Sequence, residues 1–179
     1  GYAYDPENPS QHIIDMSENE IEVPEDYTRE ELRQDLLCYT SPVLKEDLVL
    51  TGDMTAELYI SSDAPDTDFV VRVTDVDENG RSIKLADGLL SARYRNGFAQ
   101  SEFLQEGEIV CLKIRTTKLS NCFRKGHRIR VTVTSSAKNF IFPNSNTREG
   151  FASARTVVAH NRVYHGGLHA SRLTVRVEP

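Results

Sequence analysis

The stretch Ser61-Ser62-Asp63-Ala64-Pro65-Asp66-Thr67-Asp68-Phe69-Val70-Val71-Arg72-Val73-Thr74-Asp75-Val76 decides the fold, read with the turn Asp77-Glu78-Asn79-Gly80-Arg81 and the run that continues to Arg95. Residues 69–76 are rich in β-branched side chains, the composition of a strand with little exposure. Asn-Gly takes the positive-φ conformations of a tight turn at low cost, so the chain is predicted to reverse there and pair with residues 82–85. Residues 89–94 read as a further strand. Three carboxylates therefore sit at the start of one strand, and Arg93 and Arg95 lie at the end of another.

The same period of two runs outward in both directions. Residues 36–39, 48–50, 108–116, 128–135, 155–159 and 173–177 read as strands. In residues 54–61, Met54, Ala56, Leu58 and Ile60 alternate with Thr55, Glu57 and Tyr59. Ile129, Val131 and Val133 are predicted to point inward, with Arg128, Arg130, Thr132 and Thr134 outward. Residues 140–150 are a long loop rich in Asn. The one helical stretch expected is 28–33, where Thr28 and Glu31 have the spacing of a capping box. About ten short strands with hardly any helix predict an all-β fold, an antiparallel sandwich or jelly roll, with a closed barrel as the alternative.

The formal net charge of −6 is unevenly spread. Residues 1–35 hold eleven acids against Arg29 and Arg33, a net −9, so the remainder carries +3. Residues 1–34 are read as an extended acidic arm and 35–179 as the sandwich domain. Nucleic acid is a poor partner, because phosphate neutralisation needs a clustered basic face. No run approaches the ~18 apolar residues of a membrane span. Cys38, Cys111 and Cys122 are odd in number and have no CxxC spacing, which argues against a disulfide framework or a zinc site. With no permitted N-x-Ser/Thr sequon, this favours a reducing, cytoplasmic compartment. The chain opens Gly1-Tyr2-Ala3 without Met, and the expectation is a piece of a longer protein.

Several segments, in order, resemble one family. They are Tyr4-Asp5-Pro6-Glu7-Asn8-Pro9, Asp35-Leu36-Leu37-Cys38-Tyr39-Thr40-Ser41-Pro42, Leu50-Thr51-Gly52, the 61–69 and 87–95 segments, Lys125-Gly126-His127-Arg128-Ile129-Arg130-Val131, and Phe142-Pro143-Asn144 with Asn146-Thr147. Together they are similar to the C-terminal non-catalytic domain of the X-prolyl dipeptidyl-peptidase and cocaine-esterase-like hydrolases. The resemblance implies a jelly-roll β-sandwich like galactose-binding domains. It also implies partner domains in the same polypeptide, an α/β-hydrolase domain and a helical cap, with the catalytic Ser, Asp and His upstream. Consistently, the chain has no G-x-S-x-G nucleophile elbow. Family members open with further strands before the Tyr-Asp-Pro element. Their absence predicts an N-terminally truncated sandwich with an open sheet edge, able to pair with a second copy.

No cofactor, metal or catalytic residue is expected within this chain. Asp63, Asp66 and Asp68 lack the spacing of an EF-hand, and Pro65 argues against a tight calcium loop. They are expected instead to accept loop amides or to pair with Arg72, Arg93 or Arg95, pinning strand ends or meeting the hydrolase domain. His160, His165 and His169 read as loop residues, because Gly166-Gly167 interrupts any helix that would align the last two. Tyr59 and Tyr94 could stack on a sugar, so a carbohydrate-binding module is the second reading.

Overall fold

The computed structural model describes residues 1–14 and 24–177. Its strands are β1 (Tyr2–Tyr4), β2 (Leu36–Thr40), β3 (Leu48–Gly52), β4 (Thr55–Ser62), β5 (Asp68–Val76), β6 (Ser82–Ser91), β7 (Val110–Arg115), β8 (Leu119–Phe123), β9 (Arg128–Thr134), β10 (Ala159–Val163), β11 (His165–Gly166), β12 (His169–Ala170) and β13 (Arg172–Thr174). Among the described residues, three short 3-10 turns complete the regular structure, at Glu30–Leu32, Ala92–Tyr94 and Gly150–Ala152.

Two layers face each other. In one, β1 pairs with β10 and β10 with β4, while β7 takes the far flank of β4 and β13 shares the near flank with β10. In the other the order is β2-β9-β5-β6. Every named pairing is antiparallel, and late strands return between early ones, the wrap of a jelly-roll sandwich. The two layers keep separate edges, so the sheets do not close into a barrel. Between them lies the core. Ala56, Leu58 and Ile60 of β4 and Leu112 and Ile114 of β7 pack against Phe69, Val71 and Val133 of the facing sheet. A second cluster joins Leu50, Met54, Val73, Ala86 and Phe123. The alternation read in residues 54–61 thus sets which side of β4 is dry.

The β5–β6 hairpin forms where Asn-Gly predicts it. Gly80 has φ +85°, and Asp77 Oδ1 accepts the amides of Asn79 and Arg81 at 2.8 and 2.9 Å. The two strands expected at 82–85 and 89–94 are one strand, β6, bulged opposite Val73/Thr74. Gly88 lets it continue, since a Cβ there would collide with the Arg115 carbonyl of β7. Strand β8 pairs with β3 but is too polar to announce itself. The strand expected at 155–159 lies further on, at Ala159–Val163. Thr28 does not cap a helix: its hydroxyl donates to Asp26 at 2.6 Å and accepts the Ser82 amide.

The largest correction concerns residues 1–34, expected as an extended acidic arm. Part of that stretch, including Asp15, Glu18, Glu20 and Glu22, lies outside the described residues. The described remainder is built into the domain. Tyr2 and Tyr4 are buried and β1 completes a sheet, while residues 24–33 lie over the outer face of β6-β5-β9. This is why Arg72 and Thr74 are buried although they point away from the core: Arg72 lies over the Tyr27 ring and Thr74 donates to Glu31. The covering is ionic. Glu31 pairs with Arg130 and accepts the Ser82 and Thr74 hydroxyls. Glu25 meets Lys84 at 2.7 Å and Asp26 meets Arg81 at 2.9 Å. The charge asymmetry read as an extended acidic arm is, for these residues, complementarity between an acidic strap and a basic sheet face.

Among the described residues, strand β2 pairs with β9 alone. Beside it, an apolar cleft of ≈ 270 Å³ enters between the layers, lined by Tyr39, Leu58, Val131, Val133 and Leu173.

Candidate functional site

Asp66 organises one end of the sandwich. It sits in the bend before β5 and is fully buried. Its Oδ1 accepts the backbone amide of Arg93 at 2.9 Å, and its Oδ2 accepts Arg93 Nε at 2.7 Å and Asn144 Nδ2 at 2.7 Å. The Arg93 guanidinium then donates from Nη1 to the Arg148 carbonyl (3.0 Å) and from Nη2 to the Thr147 carbonyl (3.1 Å). It lies 5.1 Å over the Phe103 ring. One side chain therefore ties three chain segments together, which suits the planar five-donor fork of arginine and not the point charge of lysine. Gly150 closes the loop at φ +62°, with space for a Cβ limited by Arg93 Nη2 at 3.1 Å.

Asp68 shares the amide of Asn144 (Nδ2 to Oδ1, 3.0 Å). Burial pushes its carboxyl above the ordinary range, against the opposing pull of the Ser91 hydroxyl and the Asn144 amide; the neighbouring Asp66 charge adds to the rise. The loop is further knit by Ser145, whose hydroxyl donates to the Gly150 carbonyl at 2.6 Å, and by Asn146, whose amide donates to the Val157 carbonyl at 2.6 Å.

The other predicted residues go elsewhere. Asp63 binds His160, accepting its backbone amide and facing its Nδ1, both at 2.7 Å. Burial raises the Asp63 carboxyl, but these two bonds outweigh it and hold it below the usual carboxylate range. Arg95 turns away from the aspartates to Glu102, contacting its carbonyl and, at 3.5 Å, its carboxylate. Arg72 is buried on the strap side, 4.8 Å over the Tyr27 ring, donating to the carbonyls of Gln11 and Ser136 at 3.3 Å each. Only Asp66, Asp68 and Arg93 converge. Asn144, the residue that joins them, lies in the Phe142-Pro143-Asn144 segment, but spacing along the chain carries no hint of a partner 78 residues away.

Above this polar base sits an aromatic surface. Phe98, Phe142 and Phe151 are 80, 81 and 75 % exposed. Phe142 and Phe151 stack with centroids 6.0 Å apart, and Tyr94 and Phe98 are 5.5 Å apart. Tyr94, Phe142 and Phe151 share a recess of ≈ 160 Å³ with Asp66, Asp68, Arg93 and Glu149. That is smaller than the roughly 300–1,000 Å³ of small-molecule pockets. Among the described residues no group of three His, Cys, Asp or Glu converges as metal ligands. His165 and His169 lie on a short hairpin against Tyr39 and Tyr59. No hydrogen bond among the described residues joins a serine to a histidine.

Comparison with known proteins agrees with this division between fold and chemistry. Residues 2–174 match the family model described as the X-Pro dipeptidyl-peptidase C-terminal non-catalytic domain. The chain is 35% identical over 183 residues to a cocaine esterase of Rhodococcus sp. (strain MB1 Bresler), covering 98% of this chain and 32% of that protein. It is 33% identical over 161 residues to a putative serine esterase of Mycobacterium tuberculosis (strain CDC 1551 / Oshkosh), covering 79% of this chain and 24% of that one. It thus spans a third or less of these relatives' length. Among solved structures, an aminopeptidase from a marine sediment archaeon (Thaumarchaeota archaeon) superposes with a TM-score of 0.91 at 24% identity, over 99% of this chain and 33% of the other. An α-amino-acid ester hydrolase gives 0.92 at 23%, over 99% and 32%. At these identities the likeness is one of fold.

Proposed function

Because the chain belongs to the family of C-terminal non-catalytic domains of X-Pro dipeptidyl-peptidases, we propose that it is the accessory domain of a serine hydrolase acting on esters or amides. Its work is to pack on an α/β-hydrolase domain and helical cap of the same polypeptide and to hold them in a stable arrangement. The supporting observation is the extent of the match: it runs through 98% of this chain while taking up 32% of a named esterase. The nucleophile, its base and the substrate pocket belong, on this reading, to the other part.

The experiment is turnover of ester and X-Pro-anilide substrates by the full-length polypeptide and by the 179-residue chain. Activity is expected from the former alone; hydrolysis by this chain alone overturns the assignment. A second role has its own support. Among the described residues, the cleft beside β2 leaves apolar side chains and one strand edge uncovered, which favours self-association through that edge. Sedimentation across a dilution series tests it: a monomer at all concentrations excludes that role.

A further inference from the structure

We infer that the surface made by Tyr94, Phe98, Phe142 and Phe151 is the face that docks onto the hydrolase part of the same polypeptide; this rests on the accessory-domain reading above. Single exposed apolar residues are normal on any protein, and Leu32 and Leu168 are of that kind. Two aromatic pairs, Tyr94–Phe98 and Phe142–Phe151, with Tyr94, Phe142 and Phe151 lining one recess, are not, and a grouped apolar patch marks an interaction site. Aromatic residues are also the type enriched at the energetic centre of protein interfaces.

The mounting points the same way. Tyr94 follows Arg93, and Phe142 and Phe151 bracket Asn144, Thr147 and Gly150. The buried Asp66–Arg93–Asn144 bonds that hold both loops thus fix the rings before any partner arrives. A pre-ordered patch loses less freedom on docking. Arg148 and Glu149, both exposed, supply a rim of mixed charge, as interfaces have. The recess is too small for a small-molecule substrate, so the partner is a surface that sends side chains into it.

The occupant follows from the path of the chain. Strand β1 lies against the same loop: the Tyr4 hydroxyl donates to the Asn144 carbonyl at 3.3 Å, and Asn146 Nδ2 donates to the Tyr4 carbonyl at 3.5 Å. Because β1 has only three residues, whatever precedes it in a C-terminal domain joins at Tyr2, about 7 Å along the strand from Tyr4 and this loop. Relatives are about three times as long as this chain, so that partner is large and tethered. Tethering raises its effective concentration to the millimolar range, enough for a patch of modest size.

Hydroxyl-radical footprinting of the full-length polypeptide tests this, with Leu32 and Leu168 as exposed references. The expected result is oxidation of Phe98, Phe142 and Phe151 suppressed about tenfold below the rate their exposure here dictates, as for desolvated interface residues, and unchanged on dilution. The variant Phe142→Ser/Phe151→Ser is expected to restore reactivity at Phe98 and to split one unfolding transition into two. Should that variant not accumulate, the wild-type footprint decides alone. Fully reactive rings overturn the inference, and suppression that disappears on dilution assigns the surface to a second copy instead. Reactive rings with a single unfolding transition discard this surface but leave the accessory role standing. Reactive rings with two independent transitions discard both.

Discussion

Replacing Arg93 by alanine is the sharpest perturbation of this domain. The side chain is mostly buried and makes three hydrogen bonds, one to the fully buried Asp66 carboxylate and two to loop carbonyls. Removing one partner of a buried pair typically costs about 3–5 kcal/mol, because the remaining charge is left without compensation. Asp66 keeps two donors, the backbone amide of residue 93 and Asn144 Nδ2, which places Arg93→Ala near the lower end, about 3 kcal/mol. For a chain of this size each kcal/mol moves the melting midpoint by roughly 2–4 °C, so a fall of about 6–12 °C is expected. Arg93→Lys keeps the charge but cannot reach the carboxylate and both carbonyls, and falls between. The decisive comparison is Arg93→Ala/Asp66→Asn. If an orphaned carboxylate is the main cost, neutralising it recovers about half of the loss, a coupling that a double-mutant cycle measures directly. Calorimetry and urea unfolding read both numbers. A shift below 2 °C for Arg93→Ala, or no recovery in the double variant, would refute the reasoning.

Asp68→Asn tests the opposite case. Burial raises its carboxyl, so the folded state favours the protonated form; that contribution is present in acid and lost as pH rises through the raised value. The variant should be at least as stable as wild type at pH 7, with the difference fading in acid, as melting curves across pH will report. Asp87 behaves conversely. Burial raises it, but the His12 bond and the Lys84 charge outweigh burial and bring it down from 3.8 to about 2. Its contribution, about 2 kcal/mol by linkage, is complete above pH 4 and lost as pH falls towards 2. The advantage of wild type over Asp87→Asn in urea should close across that window. Gly88→Ala places a methyl against the Arg115 carbonyl where β6 crosses β7. A loss of about 2–3 kcal/mol is expected from forced backbone movement, and a midpoint unchanged in urea would show that the two strands separate freely.

Much of the sandwich is legible because burial and strand period are local. Ala56, Leu58 and Ile60, with Met54 just before the strand, name the dry side of β4 by alternation alone, and Asn79-Gly80 announces its own turn. Strand β8, Leu119–Phe123, is not legible. Its Ser, Asn and Cys form a ladder because β3 is beside them, and intrinsic preference for strand is weak next to such a neighbour. The acidic opening is misread for a related reason. Glu25, Asp26 and Glu31 look like solvated charge until Lys84, Arg81 and Arg130 are seen across from them.

The candidate site divides along the same line. Its types were readable: carboxylates at the head of one strand, arginines at the end of another, an Asn-rich loop, and a family pattern linking them. Which arginine met which aspartate was not. Asp66 takes Arg93, while Asp63 takes His160, Arg95 takes Glu102 and Arg72 takes a tyrosine face. Those choices depend on which segments the jelly-roll wrap brings within 3 Å, and hydrogen bonding falls off too steeply with distance for sequence separation to stand in for it. Strand period, turn chemistry and family membership are written along the chain. The pairing of charges, the burial of the strap and the grouping of four aromatics on one face belong to the folded molecule, because each is a contact between residues the sequence keeps far apart.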